Sequence, residues 1–269
     1  MNLYRGCSHG CIYCDSRSDC YQLENFDHIR GKTNCIAMLD NELGRKRKTG
    51  IIATGCMSDP YNPYEKEEKL TREALKVINK HKFGVWITTK SDLIVRDIDI
   101  LQEISKHSIV YITFSITATD DELCKIIEPN VASSSKRFHA MKQLADAGIY
   151  TGVWLTPVLP FITDTQRNIT DIVRKTFDSG GKYVFSYFGL TLRRGNREYY
   201  YEQLDKKFPN LKQKYISTFG ESYICDSPNA QKLAKAFHEA CRKYGLLYDA
   251  KEINRDICEM QMCNQLCLF

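Results

Sequence analysis

The chain has 269 residues, 43% of them hydrophobic, with 38 Lys and Arg against 33 Asp and Glu for a formal charge of +5. That supplies apolar matter for one large core at the length of a single α/β barrel-type domain, and no run of about 18 apolar residues exists to form a membrane-spanning helix. The mild charge permits a nucleic acid partner without arguing for one, and twelve cysteines behind a start, MNLYRGC, with no apolar signal core point to a cytoplasmic protein whose thiols serve metal, catalysis or burial rather than disulfides.

NLYRG reads as a short first strand, and Cys7, Cys11, Cys14 and Cys20 follow at once in RGCSHGCIYCDSRSDC. A helix over 34–48 leads to GIIATG (50–55), which ends in GCMSDPY. A helix over 66–82 leads to FGVWITTK (83–90), closed by TTKSD. A helix over 94–107 precedes SIVYITFSIT (108–117) and its polar end SITATDDE. The helix over 133–147 has a serine-rich cap before it and Gly148 after it, and GIYTGVWLTPVL (148–159) runs on into TPVLPFI. A helix over 164–179 leads to GKYVFSYFGLTL (181–192).

Strands alternating with crossover-length helices predict βαβ units on a parallel sheet. The expected fold class is α/β, a partial (β/α)6 TIM-like barrel. From residue 193 the alternation stops. REYYYEQLDKKF and NAQKLAKAFHEACRKYG predict a C-terminal helical cap, with no linker before it. Residues 1–192 are thus expected as the core barrel and 193–269 as an extension of the same domain.

In such sheets chemistry sits at the carboxyl ends of the strands, where the polar segments of this chain fall. Cys7, Cys11 and Cys14 form C-x3-C-x2-C with no fourth ligand at fixed spacing. Thiolates suit iron–sulfur clusters and zinc. A structural zinc wants four protein ligands, and Cys20 is the fourth on offer.

The motif, with Tyr13 just before its third cysteine, resembles that of the radical S-adenosylmethionine (radical SAM) enzymes. The resemblance implies a [4Fe-4S] cluster on Cys7, Cys11 and Cys14, with S-adenosylmethionine on the open iron. It implies reductive cleavage to methionine and a 5′-deoxyadenosyl radical, and a one-electron donor such as a flavodoxin or ferredoxin. RGCSHGCIYCDSR, GCMSDPYNPYEKEEKLT, ITTKSDLIVRDIDIL, ITFSITATDDELCKIIEPN and TPVLPFITD are similar to the branch related to spore photoproduct lyase, the DNA-repair photolyase-like proteins. The likeness runs from Asn2 to about Leu192. On that resemblance Tyr13, Ser58, Asp59, Lys90 and Ser115 are expected at the cofactor, Lys90 pairing with its carboxylate and Ser115 lying near its methionyl group. Cys56, in Cys56-Met57-Ser58-Asp59, is expected to return a hydrogen atom to the substrate radical. Asp15 stands where the lyase has a tyrosine, so the lyase's substrate does not carry over.

Other residues keep two readings. Cys56 also suits a small buried packing residue. Cys124 reads as core, and Cys20 and Cys35 as packing. His9 reads as a hydrogen-bonding residue of the loop. Arg193, Arg194 and Arg197 beside Tyr199, Tyr200 and Tyr201 either clamp a nucleic acid strand or belong to a helix covering the barrel edge. Cys258, Cys263 and Cys267 raise an auxiliary cluster. The functional expectation is a radical SAM enzyme acting on a nucleic acid lesion or nucleobase. The alternatives are a peptide or small-metabolite substrate and a non-catalytic metal-bearing nucleic-acid-binding module.

Overall fold

In a computed structural model that describes residues 1–266, with side chains as far as Glu259, the chain starts with a two-residue strand. β1 (Tyr4–Arg5) pairs antiparallel with β2 (Arg30–Gly31) and not with the main sheet. NLYRG is therefore not a sixth parallel strand. The reason is a turn that packs on a later segment: Gly6 turns the chain at φ +82°, and a Cβ there would sit 2.6 Å from the carbonyl oxygens of Phe26 and His28. The backbone enters the cysteine loop before a longer strand can form.

After α1 (Cys35–Gly44) comes β3 (Ile51–Thr54), then α2 (Glu65–Glu68) and α3 (Leu70–Lys80). The alternation continues through β4 (Gly84–Thr89), α4 (Ile98–Ser105), β5 (Val110–Ser115), α5 (Asp121–Ile127), α6 (Ser134–Asp146), β6 (Tyr150–Leu155), α7 (Gln166–Asp178) and β7 (Tyr183–Ser186). The five strands β3 to β7 are parallel and lie side by side in sequence order. A doubly wound sheet would reverse its order at a switch point. An unreversed order is that of an open segment of a (β/α) barrel. The helix starts follow their caps: Ser133 accepts from the Lys136 amide before α6 and Thr165 from the Asn168 amide before α7, as short polar side chains do at N-caps.

Side chains alternate across this sheet. Val85, Ile87, Val110, Ile112, Phe114, Val153, Leu155 and Val184 point outward into the helix layer, against Leu75, Ile78, Leu101, Ile104, Met141, Leu144 and Ile172. Each such buried side chain contributes roughly 1.5–3 kcal/mol relative to exposure. The other face carries Trp86, Tyr111, Tyr150, Trp154, Tyr183 and Phe185, several of them packed on Ile253 and Ile257.

Beyond β7 the chain makes β8 (Gly189–Thr191), α8 (Asn196–Lys207), α9 (Leu211–Phe219), β9 (Ile224–Asp226), α10 (Ala230–Tyr244) and α11 (Ala250–Leu266). The predicted strand 181–192 is thus two pieces, and β8 leaves the sheet to pair antiparallel with β9. Leu233, Phe237 and Cys241 of α10 join the main core. Leu247 pairs with the edge of β7, accepting from the Val184 amide at 2.9 Å and donating to Lys182 at 3.1 Å. Among the described residues no helix is long and apolar enough to cross a membrane.

Candidate functional site

The cysteine loop is clamped from three sides at the carboxyl end of the sheet. Ser58, after β3, donates its hydroxyl to the Gly6 carbonyl at 2.6 Å. The segment after α5 reaches back: Ile12 donates to Ile127 at 3.0 Å, Asn130 donates to His9 at 3.1 Å, and the Asn130 amide donates to Ser8 at 2.9 Å. The Cys7 amide donates to Phe26 at 2.8 Å. The loop is ordered by bonds to its own backbone and needs no strand pairing.

These clamps bring Cys7, Cys11 and Cys14 to one cavity of about 110 Å³, together with Cys56, Ser58, Asp59, Thr88, Thr89, Lys90 and Ser115. Segments from the ends of β3, β4 and β5 thus meet the loop that follows β1. A wider cavity of about 490 Å³ shares His9 but is otherwise lined by residues such as Tyr61, Lys66, Arg96 and Asn130 and holds no cysteine; donor chemistry, not volume, marks the smaller one.

Asp59 is the junction of the site. Its carboxylate accepts from the Tyr61 amide at 2.8 Å, the Thr89 hydroxyl at 2.7 Å and the Lys90 amide at 2.7 Å. His9 Nδ1 stands 3.6 Å from the same carboxylate. Burial holds His9 below its ordinary pKa, against the opposing pull of Asp59. Its imidazole therefore faces Asp59, while its backbone carbonyl, not its ring, bonds the neighbouring loop. Lys90 has no carboxylate partner among the described residues; its ammonium lies 5.9 Å from the Tyr13 ring centre. Burial pushes the Lys90 pKa down, but the attraction of the acidic groups around it, the Glu128 and Asp59 carboxylates among them, holds it above its ordinary value. The cavity thus contains a free cation.

Tyr13 backs the cavity and does not line it. Its hydroxyl donates to Glu128 and lies 3.3 Å from Thr117 Oγ1. Glu128 is in turn 2.5 Å from Arg137, both fully buried, and Arg137 donates to the Ser115 carbonyl at 2.8 Å. Cys124, buried as expected, touches this pair. The Glu128–Arg137 pair is the element that sequence reasoning missed. Its signal was available: Arg137 lies on the same helical stripe as Ser134, Phe138 and Met141, all buried, and a charge on a buried stripe needs a partner.

The donor set fits an iron–sulfur cluster with one open iron better than zinc. Among the described residues no three His, Cys, Asp or Glu side chains converge on a single ion-sized point, which a closed zinc site requires. Cys20, the fourth ligand of the zinc reading, is exposed and lies 3.5 Å from Arg193. Burial pushes the Cys7 thiol up to about 11 and the Cys11 thiol well above its ordinary value, the latter against the pull of Lys90. Both are protonated when the loop is empty, so loading a metal must release protons.

Cys56 is exposed and opens onto the same cavity as the three loop cysteines. It is not enclosed in the helix layer. The arginine–tyrosine segment divides. Tyr200 and Tyr215 are buried and hydrogen-bonded to each other at 2.9 Å, and Arg197 is spent on Glu221 and the Leu192, Gly220, Glu221 and Ser222 carbonyls. These three residues build the cap. Tyr199 stacks on Arg17 at 3.9 Å, and Arg193 and Arg194 stay at the surface facing Asp15 and Asp19. Cys258 is exposed on α11. The Cys263 side chain and Cys267 lie outside the described residues, so the auxiliary-cluster reading has no structural bearing.

A sequence model of the radical SAM superfamily matches residues 1–174. An uncharacterized protein of Methanocaldococcus jannaschii is 31% identical over 209 residues, which span 78% of this chain and 76% of that one. An uncharacterized protein of Mycobacterium bovis is 30% identical over 258 residues, spanning 93% and 75%. Among solved structures, spore photoproduct lyase complexed with dinucleoside spore photoproduct superposes with a TM-score of 0.64 at 16% identity, covering 90% of this chain and 72% of that one. The radical S-adenosylmethionine methyltransferase TsrM of Kitasatospora setae, with cobalamin and [4Fe-4S] cluster bound, gives 0.61 at 10% identity, covering 99% and 60%. At such identities the two structures establish a shared fold.

Proposed function

The chain belongs to the radical SAM superfamily, and from that premise we propose that it is an enzyme of radical chemistry with Cys7, Cys11 and Cys14 as the cluster ligands. The cofactors of the family are a [4Fe-4S] cluster and S-adenosylmethionine, which together supply a 5′-deoxyadenosyl radical when an electron donor reduces the cluster. The observation that carries the reading is the single cavity in which three thiols of one loop face an unpaired lysine and the hydroxyl of Ser115.

The residues have separable tasks. Lys90 offers a cation to a carboxylate, a charge-assisted bond stronger than a neutral one. Ser115 and Thr88 offer hydroxyls. Ser58 and Asp59 hold the loop and the Lys90 backbone in place, and Tyr13 braces Lys90 from behind. Cys56 presents a thiol at the open side. Residues 1–192 are read as the core of the enzyme and 193–269 as a cap within the same domain, a reading supported by the packing of α10 into the main core.

The substrate is proposed to carry a nucleobase, as in a nucleic acid lesion; the lyase whose fold the chain shares is a protein complexed with dinucleoside spore photoproduct. The reading is tested by anaerobic reduction of reconstituted protein with S-adenosylmethionine. Formation of 5′-deoxyadenosine supports it. No product, or product undiminished in a triple Cys7→Ala, Cys11→Ala, Cys14→Ala variant, overturns it. A peptide or metabolite substrate is favoured instead if binding to DNA, damaged or intact, shows no salt dependence.

A further inference from the structure

Beneath the cysteine cavity, the concave face of the sheet is aromatic, and among the described residues it is not filled. Trp86, Tyr111, Trp154 and Phe185 wall a cavity of about 190 Å³, floored by Ile253 and Ile257 of α11. Barrel interiors are ordinarily packed solid with branched aliphatic side chains. Here Trp86 stacks on Tyr111 at 5.3 Å and meets Trp154 edge-on at 5.4 Å.

The wall is held rigid. Tyr183 lies across β6 only because residue 152 is glycine: a Cβ there would stand 2.4 Å from the Tyr183 ring. The Tyr183 hydroxyl is 2.6 Å from Thr113 Oγ1, which also accepts the Trp86 indole N–H at 2.9 Å. Trp86 and Tyr183 thus spend their polar atoms within the wall and offer the cavity only π faces. No charged side chain among the described residues lines it. Two lining groups keep polar atoms without a hydrogen bond among the described residues, the Tyr111 hydroxyl and the Asn254 amide.

The position ties the cavity to the reactive end. Trp154 is the register partner of Ser115, and Trp86 precedes Thr88 by two residues on the same face, about 7 Å of strand. Ser115 and Thr88 both line the cysteine cavity.

We propose that this lumen is the substrate site and takes one uncharged planar heterocycle of nucleobase size. The volume matches about six waters at roughly 30 Å³ each, room for one ring system but not for a dinucleotide. The absence of charge keeps a phosphate outside. An asparagine amide pairs with the adjoining donor and acceptor on a base edge, which a hydrocarbon ring would leave unpaired. The position argument rests on the radical-enzyme reading above; the ring chemistry rests on the cavity alone.

Trp86 and Trp154 are the only two tryptophans of the chain, so tryptophan emission reports on this cavity. The full-length protein without cluster or S-adenosylmethionine is titrated with thymidine, deoxyguanosine, ribose 5-phosphate and N-acetylphenylalaninamide. Saturable quenching by the nucleosides alone is expected. Asn254→Leu, at an exposed helix position, should weaken nucleoside binding about tenfold or more, the two hydrogen bonds of its amide being lost together, with the circular dichroism unchanged. The proposal is overturned by no nucleoside response, or by equal quenching with the phenylalanine amide. Two further results overturn it. A response to S-adenosylmethionine without one to the nucleosides makes the lumen a cofactor site. Nucleoside quenching only after residues 260–269 are deleted means that the chain's own tail fills it. The measurement needs no cluster, so its failure leaves the radical reading standing, and a missing 5′-deoxyadenosine leaves the cavity result standing.

Discussion

The Glu128 carboxylate and the Arg137 guanidinium lie 2.5 Å apart with both side chains sealed from solvent. The pair is a link, not an isolated contact. Glu128 accepts the Tyr13 hydroxyl, and Arg137 donates to the carbonyls of Ser115 and Ala132, each at 2.8 Å. The end of β5 and the cysteine loop are therefore fastened to one ion pair in a medium that penalises either charge alone.

Removing one partner should cost more than the pair itself is worth. Glu128→Gln leaves Arg137 buried without a counter-charge, and a loss of about 3–5 kcal/mol is expected in urea unfolding of the metal-free protein. The pH dependence has a definite sign. Burial pushes the Glu128 pKa up, but Arg137 and Lys90, with hydrogen bonds from Tyr13 and Arg137, hold it below its ordinary 4.5. A depressed folded pKa gives stability that is complete above 4.5 and lost as pH falls through the folded value. The stability gap between wild type and Glu128→Gln should therefore narrow only in acid. A gap independent of pH would show that the pair is not ionised.

Lys90 separates binding from folding. Its ammonium is partly buried and has no carboxylate partner among the described residues, so it adds little to the stability of the empty protein. Because the acids around it hold its pKa above the ordinary value, Lys90→Met should lower the urea midpoint, but only slightly. It should weaken S-adenosylmethionine binding by about 1.5–3 kcal/mol, the worth of a charge-assisted hydrogen bond, measured calorimetrically on reconstituted protein. Equal affinity in the variant means that the carboxylate is held elsewhere.

Asp59 should behave in the opposite way. Its three hydrogen bonds to Tyr61, Thr89 and Lys90 make it a structural junction first. Asp59→Ala should cost about 3 kcal/mol or more in unfolding, since bonds to a charged acceptor are worth about 1.5–3 each. Its effect on cofactor affinity should follow from the displaced Lys90 backbone. A variant that folds with full stability yet binds no S-adenosylmethionine would instead place Asp59 in direct contact with the cofactor.

The sequence made the local elements legible because their signals are local. The β-branched and aromatic runs of β4 to β7 and the serine cap before α6 needed no tertiary information. Cys7, Cys11, Cys14, Ser58, Lys90 and Ser115 could be expected at one end of the sheet because strand order maps strand ends to one face, and they line one cavity there. What stayed hidden was what depends on packing across the sheet. β1 read as a sheet strand because the Gly6 turn against Phe26 and His28 joins residues far apart in sequence. The bond from the Tyr13 hydroxyl to Glu128, 115 positions away, has no signal in the sequence around Tyr13. The aromatic lumen was written in alternate residues of four separate strands, and only their register sets Trp86, Tyr111, Trp154 and Phe185 around one cavity.

Cys56 is the residue whose role geometry narrows furthest. A packing cysteine would be buried, as Cys124, Cys225 and Cys241 are. Cys56 is exposed, at the rim of the cavity shared by Cys7, Cys11 and Cys14. It follows Gly55, held at φ +100° with a hypothetical Cβ only 2.1 Å from the Thr88 carbonyl, so the backbone before it is fixed against β4 and aims it at the opening. A thiol S–H bond is weak enough to yield a hydrogen atom to a carbon radical, whereas a serine O–H bond is too strong. Cys56→Ser changes little in size and loses no buried contact, so stability, iron content and 5′-deoxyadenosine formation should all match wild type. The products should not: the substrate radical, left without its donor, should end in adducts or mixed reduction products resolved by mass spectrometry. If reaction in deuterated buffer labels the wild-type product and the Cys56→Ser product equally and in equal yield, the hydrogen comes from another group, and Cys56 is a rim residue without a part in the chemistry.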